Sequence, residues 1–226
     1  MLTRLLQLAS PALPIGAYSY SSALEWGIES GAVRDEAGAL EWIEDALALG
    51  LGAYEVPLMI ESLGHWRAIE RAAHPAPLTA LNVEALAGRE TAELRHESEQ
   101  MGYSLGQWLR AVCPPTPAQS AVLETLDPLA LPVAWALAAE RLGLDAREAA
   151  IAMLWGFAEN QATVLMKALP IGQIAAQRLL LALGPVVEAI ATRALEREPA
   201  LRSNAAPGLA IASSRHETQY SRLFRS

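Results

Sequence analysis

The chain has 226 residues, enough for one large or two small domains, and it can bury a core without disulfides or metal ions. Its hydrophobic content of 52% is dominated by alanine and leucine, which favours helix over strand. A net charge of −8 argues against a general binder of nucleic-acid backbones, and a single cysteine excludes an internal disulfide.

The sequence predicts an all-α fold, a single bundle-like domain of roughly ten helices with a mobile C-terminal tail. Residues 1–198 would form the helical domain and residues 199–226 a docking segment. Apolar periodicity, caps and breakers define the elements. Helices are predicted over about 2–8, 22–30, 36–49, 57–73, 78–112, 128–142, 146–169, 173–183 and 186–198.

Several helix ends have recognisable signals. Ser21 or Ser22 is a suitable cap for the second helix, and Asp35 for the third. Asp127 followed by Pro128 predicts another start, because proline is tolerated at the first helical position. Asp145 and Glu148 have capping-box spacing.

Glycine and proline predict the interruptions. Gly50, Gly52 and Pro57 mark a bend, Pro170 predicts a break over residues 169–172, and Gly184–Pro185 predicts a split. Residues 74–77 form a linker. The stretch CPPTPAQS, residues 113–120, either separates two helical halves or forms an internal loop of one domain.

The stretch from Ile151 to Leu181 is the most apolar long helical pattern in the chain. Asn160, Thr163 and Lys167 share one face of it at helical spacing. One interpretation is a core helix with a few satisfied polar groups. The other is a polar seam that faces another subunit or protein.

Charge is unevenly distributed along the chain. Nine acidic residues and one basic residue lie between Glu25 and Glu61, whereas six arginines and three acidic residues lie from Thr192 to Ser226. This pattern predicts charge-guided association, although solvated surfaces alone would produce it too.

No membrane segment is predicted. Residues 5–24 carry no charge, but Pro11, Pro14 and Gly16 would break a spanning helix. A signal peptide is also a poor fit, because Gln7 and the prolines interrupt the apolar core. The chain is expected to be cytoplasmic.

A search for catalytic patterns finds none. The four histidines are widely spread without a second histidine one turn away, Cys113 lacks a nearby partner, and no phosphate-binding loop or dinucleotide turn is present. We therefore expect no catalytic residue, no cofactor and no metal ligand.

Three separated blocks resemble the UreF family of urease accessory proteins. They are LASPALPIGAYSYSSALE (Leu8 to Glu25), AENQATVLMKALPIGQIAAQRLL (Ala158 to Leu181) and RHETQYSRLFRS (Arg215 to Ser226). The resemblance runs through the whole chain in order. One departure is Ala23, where the family usually has glycine.

The resemblance implies an all-α, dimeric, non-catalytic protein. UreF-like proteins join UreD (UreH in some species) and the GTPase UreG, and the assembly delivers nickel to apo-urease. The resemblance also implies that UreF gates GTP hydrolysis by UreG. The C-terminal segment is implied to become ordered on UreD.

Carried over to matching positions, the resemblance assigns partner-binding residues in all three blocks. The central block would support the dimer and face UreG, while the tail and the N-terminal block would dock UreD. The assigned residues are Tyr18, Ser19, Glu25, Asn160, Gln161, Lys167, Gln173, Gln177, Arg178, Glu217, Tyr220, Arg222, Leu223 and Phe224.

Two other functions compete with this assignment. One is an all-α enzyme for a small molecule, with a site around Asn160, Lys167, Glu25 and the tyrosines. The other is a helical DNA regulator that uses the basic tail, which the net charge of −8 disfavours.

Overall fold

A computed structural model describes residues 2–72 and 74–226, and the fold is all-α, with no strand in those ranges. A π-helical segment, Ala46–Glu55, joins the helices Glu36–Asp45 and Val56–Ala72, and short 3₁₀ turns lie at Ala17–Ser19 and Pro199–Leu201. The α-helices are α1 Leu2–Ala9, α2 Leu24–Glu29, α3 Glu36–Asp45, α4 Val56–Ala72, α5 Ala76–Ala87, α6 Ala92–Val112, α7 Pro117–Leu123, α8 Leu131–Leu142, α9 Ala146–Ala168, α10 Gln173–Glu196 and α11 Pro207–His216.

Helix α8 forms the centre of the core. It is buried continuously from Pro132 to Ala139 and packs against α4 and α6. The indole of Trp66 on α4 donates a hydrogen bond of 3.0 Å to the carbonyl of Val133. Helix α9 pairs with α10 and is covered by α1, so the apolar stretch identified in the sequence packs within the fold.

Helices α6 and α8 approach each other closely at Gly102. A side chain there would overlap the carbonyl oxygen of Leu129, just before α8. The stretch 113–120 follows α6 in the sequence and precedes α8. Because α6 and α8 pack against each other, this stretch is an internal loop of one domain and does not separate two helical halves of the chain. Its helix α7 begins with a capping box of Thr116 and Gln119.

The helix is not interrupted at Gly50, Gly52 and Pro57, where the sequence predicts a bend. Residues 36–71 form one continuous helical run, of which Ala46–Glu55 is π-helical. The wider π turn lets the chain continue past Pro57, where the missing amide hydrogen would weaken a regular α-helix. The predicted end of this helix near Ala73 lies outside the described residues.

The predicted start of α8 at Asp127–Pro128 is also wrong, since the helix begins at Leu131. Its first amides are capped by distant side chains. Asn82 on α5 accepts from the amide of Ala130 at 2.8 Å, and Ser98 on α6 accepts from that of Leu131 at 3.2 Å. Side chains from two other helices therefore take the place of the local cap that the sequence predicts.

Helix α10 continues through Pro185, contrary to the predicted split. Pro185 and Leu181 are exposed, so water can satisfy the carbonyl that loses its hydrogen bond. Other signals are confirmed: Asp35 caps α3, Asp145 and Glu148 form a capping box, and α9 ends before Pro170.

Two helical runs are long and apolar enough to cross a membrane by length and composition. In Glu36–Arg71, 78% of the apolar window is buried inside the fold, as in the core helices of soluble proteins that pass the same test. In Gln173–Glu196 the buried share is 39%. The difference shows that α10 keeps an apolar surface exposed.

Candidate functional site: where the two ends of the chain meet

The N-terminal and C-terminal blocks of the sequence meet in space against the start of α6. We call this region the junction, and it comprises residues 18–25, 93–97 and 216–226. The sequence predicts a mobile C-terminal tail; in the structure, residues 207–216 are helical and residues 217–226 pack against the rest of the chain. This order follows from a set of buried polar contacts.

His216 lies at the centre of the junction and is completely buried. Its Nδ1 is 2.7 Å from a carboxylate oxygen of Glu93, and its Nε2 is 3.1 Å from one of Glu25. Because an ionised carboxylate only accepts hydrogen bonds, the ring satisfies both partners at once when both nitrogens carry hydrogen. His216 therefore ties α11 to both α2 and α6.

Glu25 also holds the backbone of the C-terminal segment, residues 217–226. Its carboxylate accepts hydrogen bonds from the amides of Leu223 at 2.6 Å and Phe224 at 3.0 Å. With His216, this buried carboxylate has three donors, which offset its loss of water. The buried carboxylate of Glu25 thus holds the C-terminal segment in place through its backbone amides.

Main-chain hydrogen bonds continue the attachment. The amide of Arg225 donates to the carbonyl oxygen of Ser19 at 2.9 Å, and the amide of Ser21 donates to the carbonyl oxygen of Ser226 at 2.9 Å. The hydroxyl of Ser21 donates to the same oxygen, and the hydroxyl of Ser226 donates to Glu97 at 2.6 Å. The last residues therefore follow the N-terminal block closely.

Helix α9 contributes two of the predicted site residues to this region. Asn160 donates a hydrogen bond of 2.9 Å to the carbonyl of Tyr20. Lys167 is exposed, and its ammonium lies 5.4 Å from the centre of the buried Phe224 ring. The central block thus supports both terminal blocks, while Thr163 donates only to Glu159 in its own helix.

Some predicted site residues at the junction point outward. Tyr220 is fully exposed, Leu223 is 68% exposed, and Tyr18 is also exposed. Arg222 is exposed and bonded to Glu93, and the carboxylate of Glu217 accepts from the amide of Glu93 at 3.3 Å. These outward groups form an ordered surface of aromatic, aliphatic and basic side chains.

The other predicted site residues lie away from the junction. Gln173, Gln177 and Arg178 are exposed on α10, and Arg178 forms a two-pronged ion pair with Glu36, at 3.1 and 2.8 Å. Gln161 is buried in α9, with no partner for its amide nitrogen among the described residues. The fourteen residues therefore divide between the junction, the α10 surface and the core.

The arginines of the C-terminal region find acidic partners within the chain. Arg202 pairs with Glu61 on α4 and with Glu84 on α5, the latter at 2.9 Å, and Arg222 pairs with Glu93. Part of the charge asymmetry seen in the sequence is therefore used to attach the C-terminal region to the body of the protein.

The turn before α2 has an unusual backbone. Ser22 and Ala23 have φ angles of 49° and 69°, so both are left-handed. A left-handed L-residue costs roughly 1–2 kcal/mol, whereas glycine adopts this conformation freely. Ala23 therefore carries backbone strain that a glycine would avoid. Ala23, and not Ser21 or Ser22, occupies the cap position of α2, but the hydroxyl of Ser21 accepts a long hydrogen bond of 3.4 Å from the amide of Glu25 in the first turn.

A cavity of about 190 Å³ lies next to the junction, between the N-terminal block and α9. One end is apolar and is lined by Leu8, Leu13, Ile15, Trp135, Met153 and Phe157. The other end is polar and is lined by Ser22, Glu55, Arg89, Glu90, Glu97 and Asn204.

Carboxylates dominate the polar end of the cavity. Arg89 pairs with Glu55 at 2.6 Å, and although burial alone would lower the pKa of Arg89, this partner keeps it above its ordinary value. Burial raises the pKa of Glu90 and of Glu97, and the hydroxyls of Ser226 and Ser22 only partly offset the effect on Glu97. Neither carboxylate belongs to an ion pair among the described residues.

Replacing Glu97 by glutamine is expected to raise the melting temperature at pH 7–8, and the gain should disappear near pH 4. Because the pKa of Glu97 is raised in the folded state, ionisation weakens folding as pH rises through that pKa. Thermal unfolding of both proteins across this pH range checks the difference. The exposed Glu124→Gln should show no such pH-dependent gain, and a constant offset for Glu97→Gln would contradict the prediction.

Sequence reasoning missed several residues that build the junction: His216, Glu93, Glu97, Ser21 and Ser226. His216 and Glu93 are 123 positions apart, so no local spacing links them. A weak signal was present, because His216 and Glu217 sit in the third block, although the sequence suggests no partner for them. Within residues 2–72 and 74–226, no group of three or more His, Cys, Asp or Glu side chains could hold a metal ion.

The fold and the junction define an all-α protein in which residues 19–25 and 216–226 are hydrogen-bonded to each other beside a partly open cavity. The family described as UreF matches residues 33–184. Urease accessory protein UreF from Azoarcus sp. (strain BH72) is 50% identical over 227 residues, covering 100% of this chain and 95% of the relative. The protein of that name from Dechloromonas aromatica (strain RCB) is 46% identical over 226 residues, covering 100% and 97%. The chain belongs to the UreF family of urease accessory proteins.

Proposed function

We propose that this protein is a non-catalytic adaptor in urease maturation. It bridges UreD (UreH) and the GTPase UreG in the cytoplasm and gates GTP-dependent delivery of nickel, the cargo, to apo-urease. Membership of the UreF family supports the general role. The observation that carries the finer proposal is the ordered outward surface of the junction, where Tyr220 and Leu223 are exposed on a fixed backbone.

The junction is the proposed contact with UreD. Exposed aromatic and aliphatic side chains next to arginines are the residue types that dominate binding energy at protein interfaces. The backbone beneath them is already held by Glu25 and His216, so docking would require little further ordering. Residues 199–226 would act as the docking segment and residues 1–198 as the body.

The predicted residues of the junction would have two roles. Tyr18, Tyr220, Arg222 and Leu223 would touch UreD, since their side chains are exposed. Glu25, Asn160, Lys167, Phe224, Ser19 and Glu217 would hold the surface in place through the contacts already described. The core residue Gln161 would support α9.

The exposed face of α10 is the proposed surface for the homodimer and for UreG. Ile174 is 72% exposed and Leu181 is 80% exposed, and Arg178 lies between them at helical spacing. Gln173 and Gln177 add hydrogen-bonding groups to the same exposed region. An apolar stripe bordered by polar side chains is typical of a protein interface.

The alternative of a small-molecule enzyme around Asn160 and Lys167 gains no support. The amide of Asn160 is engaged with the carbonyl of Tyr20. Lys167 lies at the surface over Phe224 and does not line the cavity that Asn160 borders. The two groups therefore do not face a common cleft.

The double substitution Tyr220→Ala, Leu223→Ala is expected to weaken UreD binding roughly a hundredfold or more, because interface anchors of this kind each contribute about 2 kcal/mol. Both side chains are exposed, so the fold should be unchanged. Co-purification of tagged protein with UreD from cells that express the urease operon, followed by titration, measures the loss.

Val83→Ala is the matched control, since Val83 is also exposed but lies on α5. It should co-purify with UreD like the parent protein. Deletion of residues 217–226 should abolish binding, although it also removes the buried Phe224. Undiminished UreD binding by the double variant would refute the junction as the docking site.

A further inference from the structure

The cavity beside the junction is accessible from solvent and has a buried apolar end. Pro11, Tyr18 and Glu90 line it, and all three are exposed. Its apolar end is built from buried side chains, among them Leu13 and Met153. An apolar cavity of about 150 Å³ suffices to bind benzene. A cavity of about 190 Å³ therefore admits a small organic molecule.

The ionisable side chains in the wall make the cavity negative. Glu55, Glu90 and Glu97 contribute carboxylates, and Arg89 is the one basic residue among the described residues that line it. Arg89 pairs with Glu55 at 2.6 Å, so these two cancel each other's charge and two carboxylates remain. A cavity of this charge attracts cations and repels anions.

The carboxylate of Glu97 can accept more hydrogen bonds than its protein partners supply. Its two oxygens accept one bond each, from the hydroxyls of Ser226 and Ser22 at 2.6 and 3.0 Å. Both donors are neutral, whereas an ionised carboxylate has about four acceptor sites and bonds more strongly to a cation. Burial raises the pKa of Glu97, and an ammonium beside it would relieve that cost.

Arg89 has an unused donor at the same end of the cavity. Its Nε–H is buried and has no acceptor among the described residues. A buried donor without a partner is unfavourable, and an oxygen on a bound molecule would satisfy it. The polar end therefore offers acceptors for an ammonium and a donor for a hydroxyl oxygen.

A metal ion matches these walls less well than an organic cation does. Within residues 2–72 and 74–226, no group of three or more His, Cys, Asp or Glu side chains could hold a metal ion. A hydrated metal ion also gains nothing from the apolar end, whereas an organic molecule gains free energy by burying carbon there.

We propose that this cavity binds a small amphipathic organic cation, a primary amine with an aliphatic body and a hydroxyl group. The ammonium lies beside Glu97, and the charge of Glu90 adds to the attraction. The hydroxyl oxygen accepts from Arg89, and the aliphatic body contacts Leu13 and Met153. Binding of this kind is a property of the isolated chain and does not depend on the proposed contacts with UreD or UreG.

The probe for this site is L-leucinol, which carries an ammonium and a hydroxyl on an isobutyl body. Two compounds with the same carbon skeleton are the ligand controls: isohexanol lacks the charge, and isocaproate reverses it. Each is titrated into the isotope-labelled chain near neutral pH and at low salt, and NMR follows the indole N–H signals. Of the six tryptophans, Trp135 alone lines the cavity, and the spectrum of Trp135→Phe identifies its signal.

L-Leucinol should shift the Trp135 signal saturably, with a Kd on the order of 1 mM, as expected for so small a ligand. Isohexanol should bind at least roughly tenfold more weakly, because it makes no hydrogen bond to a charged group. Isocaproate should not bind, because like charges repel. Glu97→Gln should weaken L-leucinol binding roughly tenfold and leave isohexanol binding unchanged.

Glu124→Gln is the matched control, since Glu124 is exposed and does not line the cavity. It should bind L-leucinol like the parent protein, and circular dichroism verifies that each variant is folded. Equal affinities for L-leucinol and isohexanol would overturn the proposal, as would L-leucinol binding that is unchanged in Glu97→Gln. So would a titration to tenfold the expected Kd that leaves the Trp135 signal in place.

Discussion

Replacement of His216 by alanine is expected to lower the free energy of unfolding by about 3–5 kcal/mol, because it removes the buried partner that two carboxylates share. The imidazole is completely buried between Glu25 and Glu93. Without it, two carboxylates face each other across a gap with no donor between them. Chemical denaturation monitored by circular dichroism measures the change.

His96→Ala is the natural control for this substitution. His96 is exposed on the same helix as Glu93, and its ring lies 4.0 Å from Glu99. Its loss should change the free energy of unfolding by no more than about 0.5 kcal/mol, as for most surface positions. Similar effects for His96→Ala and His216→Ala would show that the junction contributes little to stability.

Gly102→Ala is expected to destabilise the protein by about 3 kcal/mol or more, at the upper end of the range for overpacked cores. The new methyl group would overlap the carbonyl oxygen of Leu129, which is main chain and cannot rotate away. Relief requires α6 and α8 to move apart, and α8 is the most buried helix of the core. Thermal and denaturant unfolding should both report the loss.

Gly106→Ala, one turn further along α6, provides a graded comparison. Its methyl group would lie 3.3 Å from the side-chain carbon Cδ2 of Leu129, which can shift. Gly64 on α4 has nothing within 4 Å, so Gly64→Ala should stabilise by about 0.5–1 kcal/mol through helix propensity. An equal response at all three positions would mean that the close approach at Gly102 does not limit stability.

Local signals predicted much of the fold. The aspartate caps at Asp35 and Asp145 bond to amides three residues away, so their effect is encoded within one helical turn. The break before Pro170 is local for the same reason. The all-α class follows from composition and periodicity, neither of which depends on tertiary contacts.

The errors in the fold arise where distant groups replace local ones. Helix α8 begins three residues after Pro128 because Asn82 and Ser98 supply its caps from other helices. The chain passes Pro57 through a π-helical segment, and it passes Pro185 where the unbonded carbonyl faces water. A rule based on single residues cannot anticipate either environment.

The sequence indicated which blocks of the chain form the candidate site, but not the hydrogen bonds that hold those blocks together. For Asn160 and Lys167 the sequence left two interpretations, satisfied polar groups of a core helix or a seam that faces another protein. In the structure Lys167 is exposed, and both residues support the junction. The groups that build the junction, His216 with Glu25 and Glu93, form contacts across more than a hundred positions. Such pairings become visible only in three dimensions.

The pairing of the two ends has a consequence for biosynthesis. Glu25 is translated early, but its amide donors on Leu223 and Phe224 follow 198 and 199 residues later. At about 5–20 residues per second, a ribosome needs on the order of 10–40 s to supply them. This corner of the nascent polypeptide therefore stays unfinished until Leu223 and Phe224 have been made, and for that whole interval the carboxylate of Glu25 lacks its two amide partners.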